Sequence, residues 1–214
     1  GPDNGPVLPA EEVLARLGTA VDLLVSAIGE LDPMAAKIRQ AADHLLVIDQ
    51  ELRTLAGTRL LVFDRPTALA IVGETKRARV ALANIDSHLE GLTVDAEPLN
   101  SVLVEVRDAL WAIERDRLRN AEAILDLSQG APHLSALPGL MSIQTALSAI
   151  DRLEVRGRDS AGLQIFVTNH ELPDKALQGA RFGDPILRSG ATRNLGGHIA
   201  FVYKNAAEIG ELGD

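Results

Sequence analysis

The sequence predicts an α+β protein, a mainly α-helical bundle over its first two-thirds followed by a smaller segment with antiparallel strands. Three observations predict it. Of the 214 residues 46% are hydrophobic but only 3% aromatic, so the apolar material is Leu, Ile, Val and Ala, which suits helix packing better than a sandwich of aromatic strands. Apolar residues recur at steps of three and four as far as Leu153, the period of helices with one buried face. From Ala161 onward the pattern becomes short apolar or alternating runs separated by Gly and Asn, the pattern of strands. This length can bury one sizeable core or two modest ones.

The elements follow in order. Gly1-Pro2 reads as the remnant of a cleaved tag, and residues 1–9 as a lead-in. After Pro9, the series Val13, Leu17, Val21, Leu24 and Ile28 predicts a helix over 10–29, with Gly29 as its stop. Asp32-Pro33 supplies an N-cap and a proline at the first helical position. Ile38, Ala41, Leu45, Ile48 and Leu52 then carry a second helix toward Leu55. Two such stripes joined by a few residues must bury each other as a helical hairpin.

Leu60, Leu61, Val62 and Phe63 form the apolar centre of a connection at 56–65, read as a short helix plugging the end of a bundle. A third helix runs from Asp64 to Gly91 on Ala78, Leu82, Ile85 and Leu89. Glu97-Pro98 opens a fourth on Leu103, Val106, Leu110 and Ile113, with Glu114-Arg115-Asp116-Arg117 as a solvated surface turn. Trp111 lies one position from that stripe and is expected to anchor the core. Arg115, Arg117 and Arg119 alternate with acids and read as a solvated face.

A break rich in Gly, Pro and Ser at 128–139 precedes a fifth helix on Leu140, Ile143, Leu147, Ile150 and Leu153. Beyond it come a strand at 161–168, a helical turn or loop at 174–181, a hairpin at 189–204 around Leu195-Gly196-Gly197, and a short helix start over Asn205–Leu212. No internal repeat is present. The expected domains are therefore a helical bundle at 10–130 and a strand-bearing segment at 139–214.

Composition excludes several functions. A net charge of −9, spread over short alternations of sign, disfavours nucleic acid and anionic lipid as partners. No apolar run approaches the roughly 20 residues that span a bilayer, no basic segment leads an apolar one in signal-peptide fashion, and the expected location is the cytoplasm. With no cysteine there is neither a disulfide nor a thiolate metal site. His44, His88, His133, His170 and His198 show no metal-ligand spacing. Residues 190–197 lack the Gly-Lys-Ser/Thr ending of a phosphate loop. Neither metal nor cofactor is expected.

One motif carries chemistry. The run Leu153-Glu154-Val155-Arg156-Gly157-Arg158-Asp159-Ser160-Ala161-Gly162 passes from the end of a helix into the strand-like Leu163-Gln164-Ile165-Phe166-Val167. It resembles the Leu-Glu-Tyr-Arg-Gly-Tyr-Asp-Ser-Ala-Gly signature of class II glutamine amidotransferases, most closely the glucosamine-6-phosphate synthase (glutamine–fructose-6-phosphate aminotransferase) branch. The likeness covers about residues 139–214 and includes Phe201–Leu212; Val155 and Arg158 depart from it, standing where the family has tyrosines. Taken alone, Gly157 and Gly162 would permit tight backbone geometry. Asp159 and Ser160 would bond turn amides, and Arg156 would pair with a carboxylate, a structural role preferred to contact with substrate.

The resemblance implies a partial N-terminal-nucleophile-type glutaminase segment, interrupted by the helical block as an inserted domain. It implies a parent protein that hydrolyses glutamine and transfers the ammonia to a sugar phosphate bound by downstream sugar-isomerase domains. The family's nucleophile is an N-terminal cysteine whose α-amine acts as base, so this chain, without cysteine, is expected to be inactive by itself and to hold no catalytic residue. Two further readings stay open: a scaffold or regulatory module in which the bundle binds a partner or drives homo-oligomerisation, and a degenerate amidotransferase-like protein.

Overall fold

The computed structural model describes residues 8–91, 97–153, 160–170, 192–194 and 197–206. It divides into two compact units, Gly1–Met141 and Ser142–Asp214. The division falls inside a helix, because Leu137 is buried in the core of the first unit and Leu140 and Met141 pack against it.

The first unit is helical: α1 (Ala10–Val25), α2 (Leu31–Leu52), α3 (Leu55–Phe63), α4 (Arg65–Glu90), α5 (Glu97–Trp111), a π-helical turn (Ala112–Leu118), α6 (Arg119–Leu127), a 3₁₀ turn (Leu134–Ala136) and the start of α7 (Leu137–Leu153). Val13, Leu17, Val21 and Leu24 of α1 are fully buried, as are Ile38, Ala41, Leu45 and Ile48 of α2, so the stripes read from the sequence do face inward.

Cross-helix bonds fix the directions. Arg16 donates to Glu51 at 3.2 Å, pairing the start of α1 with the end of α2, so these two are antiparallel. Arg77 faces Asp22 and His88 faces the Gly29 carbonyl, so α4 runs parallel to α1. Arg107 bonds Asp86 and Arg79 bonds Glu114, which makes α4 and α5 antiparallel. Around the bundle α1 is flanked by α2 and α4, and α2 by α5. The two hairpins therefore stack with like directions side by side, and the link from α2 to α4 must cross the diagonal. Helix α3 makes that crossing at one end, with Leu60, Leu61 and Val62 buried.

The start of α1 and helix α6 lie at that same end of the bundle. Helix α1 begins there beside the end of α2. Helix α6 arrives there against α3, with Arg65 at the start of α4 bonded to Glu122. Leu8 and Leu137 pack into one common core.

Local chemistry explains where helices start and stop, and corrects several expectations. Helix α1 ends at Val25 rather than 29, since Ser26 takes the C-cap and the Lys37 ammonium binds its carbonyl, an interaction suited to the negative end of a helix. Asp32 is not the N-cap of α2; Glu30 holds that place without a side-chain bond, and Asp32 lies in the first turn. Leu55 opens α3, capped by Thr54, whose Oγ1 accepts from the Gly57 amide at 3.1 Å. A Cβ at Gly57 would lie 2.4 Å from the Glu51 carbonyl oxygen and 2.4 Å from the Leu52 Cα, so a glycine is what lets α3 fold back on α2. Asp64 caps α4 through the Thr67 amide and hydroxyl. After α6, Gln129 and Gly130 both take positive φ, and the Gly130 amide reaches the Leu125 carbonyl at 2.7 Å, a Schellman closure. Helix α7 begins at Leu137, three residues before the expected start.

In the second unit, the C-terminal part of α7 is followed by β1 (Ser160–Thr168), β2 (Thr192–Asn194) and β3 (His198–Ala206). The sheet is antiparallel in the order β1-β3-β2. Strand β1 pairs with β3 from Ser160 opposite Ala206 to Thr168 opposite His198, and β2 pairs Thr192 with Phe201. Ile199 and Ala200 on the central strand are buried. The expected strand at 161–168 and the strands of the 189–204 hairpin are present, but Asn205 and Ala206 extend β3 instead of starting a helix. The segment 174–181, the hairpin apex at Leu195-Gly196 and residues 207–212 lie outside the described residues.

Candidate functional site: the motif strand and the charged turn

Of the motif residues singled out by sequence, Arg156, Gly157 and Asp159 lie outside the described residues. Ser160 and Gly162 are placed: Gly162 lies in the expected strand at 161–168, which begins one residue earlier, at Ser160. Both belong to β1, where Ser160 pairs with Ala206 and Gly162 with Lys204. Gly162 has no positive φ. A Cβ there would meet the Tyr203 carbonyl oxygen at 3.5 Å and Lys204 Cγ at 3.6 Å, which is ordinary contact. Its role is that of a strand position beside β3, with no steric demand for glycine.

Along β1 one face is half-covered and the other open: Leu163 and Ile165 are partly buried, whereas Phe166 is 60% exposed. Thr168, His198 and the following Asn169, whose φ is 54°, mark the far end of the β1–β3 ladder. Both ring nitrogens of His170 are shielded from solvent and bond to no group among the described residues.

The densest charged chemistry lies elsewhere, on the segment read as a solvated turn. That reading is corrected. Residues 112–118 form a π-helical turn, and Arg117 points inward, donating from Nε to Asp49 Oδ1 at 2.8 Å with both side chains only 13% exposed. Glu114 accepts twice from Arg79 Nε at 2.9 Å, and this hydrogen bond holds the Arg79 guanidinium above its ordinary value. Trp111, expected in the core, is 50% exposed, because the stripe of α5 passes through Leu110 and Ile113 on either side of it. Arg117 did carry a signal in the sequence: it stands four residues after buried Ile113 on a helical stripe, a place where a charge needs a buried partner. Asp49, next to Ile48 on α2, is that partner.

A shallow apolar groove of about 330 Å³ lies between the end of α1 and the middle of α4, lined by Val25, Ile28, Val80 and Ala81, with Lys76 and Arg77 at its rim. Among the described residues no group of three His, Asp or Glu side chains is arranged to hold a metal ion, and no described helix is long and apolar enough to cross a membrane.

No family model, curated protein or solved structure matches the chain. The arrangement of its own residues is what bears on function.

Proposed function

We propose that this chain is part of a class II glutamine amidotransferase resembling glutamine–fructose-6-phosphate aminotransferase, with the helical unit inserted into the glutaminase segment. The parent protein hydrolyses glutamine and passes ammonia to a sugar phosphate. The observation that carries the reading is the passage from α7 through Arg156-Gly157-Arg158-Asp159 into β1, whose strand then pairs over nine residues with β3. That α1 begins and α6 lies at the same end of the helical unit supports it, because an inserted domain is tolerated where entry and exit are near each other. The 214 residues contain no cysteine, so on this reading the thiol nucleophile belongs to the parent protein outside them.

The test is ammonia release from glutamine by the complete protein with its native N-terminus. An active enzyme whose N-terminal Cys→Ala variant loses at least about a thousandfold in rate meets the expectation; equal rates in the two proteins reject it. A native N-terminus without cysteine favours the degenerate form. The scaffold reading is favoured by the α1–α4 groove, where Val25 is 57% and Val80 62% exposed. It requires that Val80→Glu weaken self-association or partner binding measured by light scattering.

A further inference from the structure

We infer that the groove between the end of α1 and the middle of α4 is a docking surface for a short amphipathic helix of a partner protein, one whose apolar face is edged by carboxylates. The groove begins with a helix that stops early. Val13, Leu17, Val21 and Leu24 form the buried stripe of α1, and Ile28 would be its next member in an unbroken helix. Because Ser26 caps α1, Ala27 takes the buried place and Ile28 turns out to 46% exposure. Val25 and, on α4, Val80 are more exposed still, and these three line one concavity with buried Ala81. Apolar residues scattered singly over a surface are ordinary, whereas a contiguous concave set marks an interaction site. All three are β-branched, so their rotamers are already restricted and little side-chain entropy is lost when they are covered.

Length and charge select the occupant. From Lys76 to Asn84, α4 rises about 12 Å along the groove and α1 runs parallel to it, so a third helix of about two to three turns fits between them. A stable dimer buries about 800 Å² on each partner, more than so short a groove offers, and a second copy would bring its own Lys76 and Arg77 to the same rim. The charged residues lining the groove, Lys76 and Arg77, are both cations on a chain of net charge −9. Arg77 is held by Glu74 and Asp22. Lys76, exposed and outside any ion pair among the described residues, is the cation left for a partner's carboxylate. The Lys37 ammonium, on the Ser26 carbonyl, covers the negative end of α1 that would otherwise repel an acid. The groove lies wholly in the helical unit, so its role is independent of the amidotransferase reading.

The test is selection of phage-displayed amphipathic helices of about 14 residues, roughly four turns, against the full chain. Two pools share a randomised apolar face and differ in having a Glu-edged or a Lys-edged polar face. Binders are expected from the Glu-edged pool, shifting the amide resonances of Val25, Ile28 and Val80. Val80→Glu is expected to weaken them at least about tenfold by placing a charge in the contact. Lys76→Glu is expected to weaken them at least about threefold and to strengthen the Lys-edged counterpart of the same peptide. Both residues are exposed, so the variants keep the parent's thermal transition. Binders drawn equally from both pools, shifts elsewhere on the chain, or no binder from either pool overturn the inference, as does a dimer in light scattering that Val80→Glu dissociates.

Discussion

The two units differ in how completely they enclose their own apolar surface. In the helical unit, every long helix contributes a stripe to one core, and side chains such as Leu17, Leu45, Ile71, Ile85 and Leu110 reach zero exposure. In the sheet unit, the fully buried hydrophobics among the described residues are Ile199 and Ala200, both on the central strand, while Phe166 on β1 remains 60% exposed. Burial of apolar area is the main source of stability, so the helical unit holds its own core, whereas the described sheet draws little from its own strands. On the proposed reading, the first would be the inserted domain and the second the portion of a larger fold.

The comparison is broken or sharpened most by separating the units. Residues 8–141 alone are expected to retain helical circular dichroism and a cooperative thermal transition, and residues 142–214 alone to lack one. A cooperative transition in the second piece, or its loss in the first, would reverse the assignment. Next in size is Gly57→Ala. With backbone atoms 2.4 Å from the added carbon, α3 must lift off α2, and a loss of about 3 kcal/mol in urea unfolding is expected from overpacking against rigid neighbours. A change under about 0.5 kcal/mol would mean that α3 is not the seat of the crossing. The smallest effect belongs to the motif. Because Gly162 sits in an extended strand with ordinary contacts, Gly162→Ala is expected to shift unfolding by no more than about 0.5 kcal/mol. A large loss would show that the residue serves the turn, as the motif alone suggests.

What was legible in the sequence follows the same division. Stripes of three and four residues placed α1, α2, α4, α5 and α7, and Asp64-Arg65-Pro66 marked the start of α4, because both signals are local. The short helix α3 was visible as an apolar plug. Which hairpin faces which was not, since Arg16–Glu51, Arg77–Asp22 and Arg107–Asp86 join residues far apart in sequence. The π turn was not legible in the apolar spacing, and alternating charges at 114–117 concealed the inward turn of Arg117. The motif leads into a strand, and the expected 161–168 differs from β1 only by Ser160. Ser160 looks like a turn former by type, and only its pairing with Ala206 places it in the sheet.

The chain carries one tryptophan and one tyrosine, and they are divided between the units. Trp111 adjoins the π turn and is 50% exposed; Tyr203 lies on β3 and is 37% exposed. Each unit therefore contains its own chromophore. Indole emission excited at the red edge follows the helices without labelling, while the phenol's near-ultraviolet signal follows the strands, so a single unmodified sample can reveal whether the two melt together or in sequence.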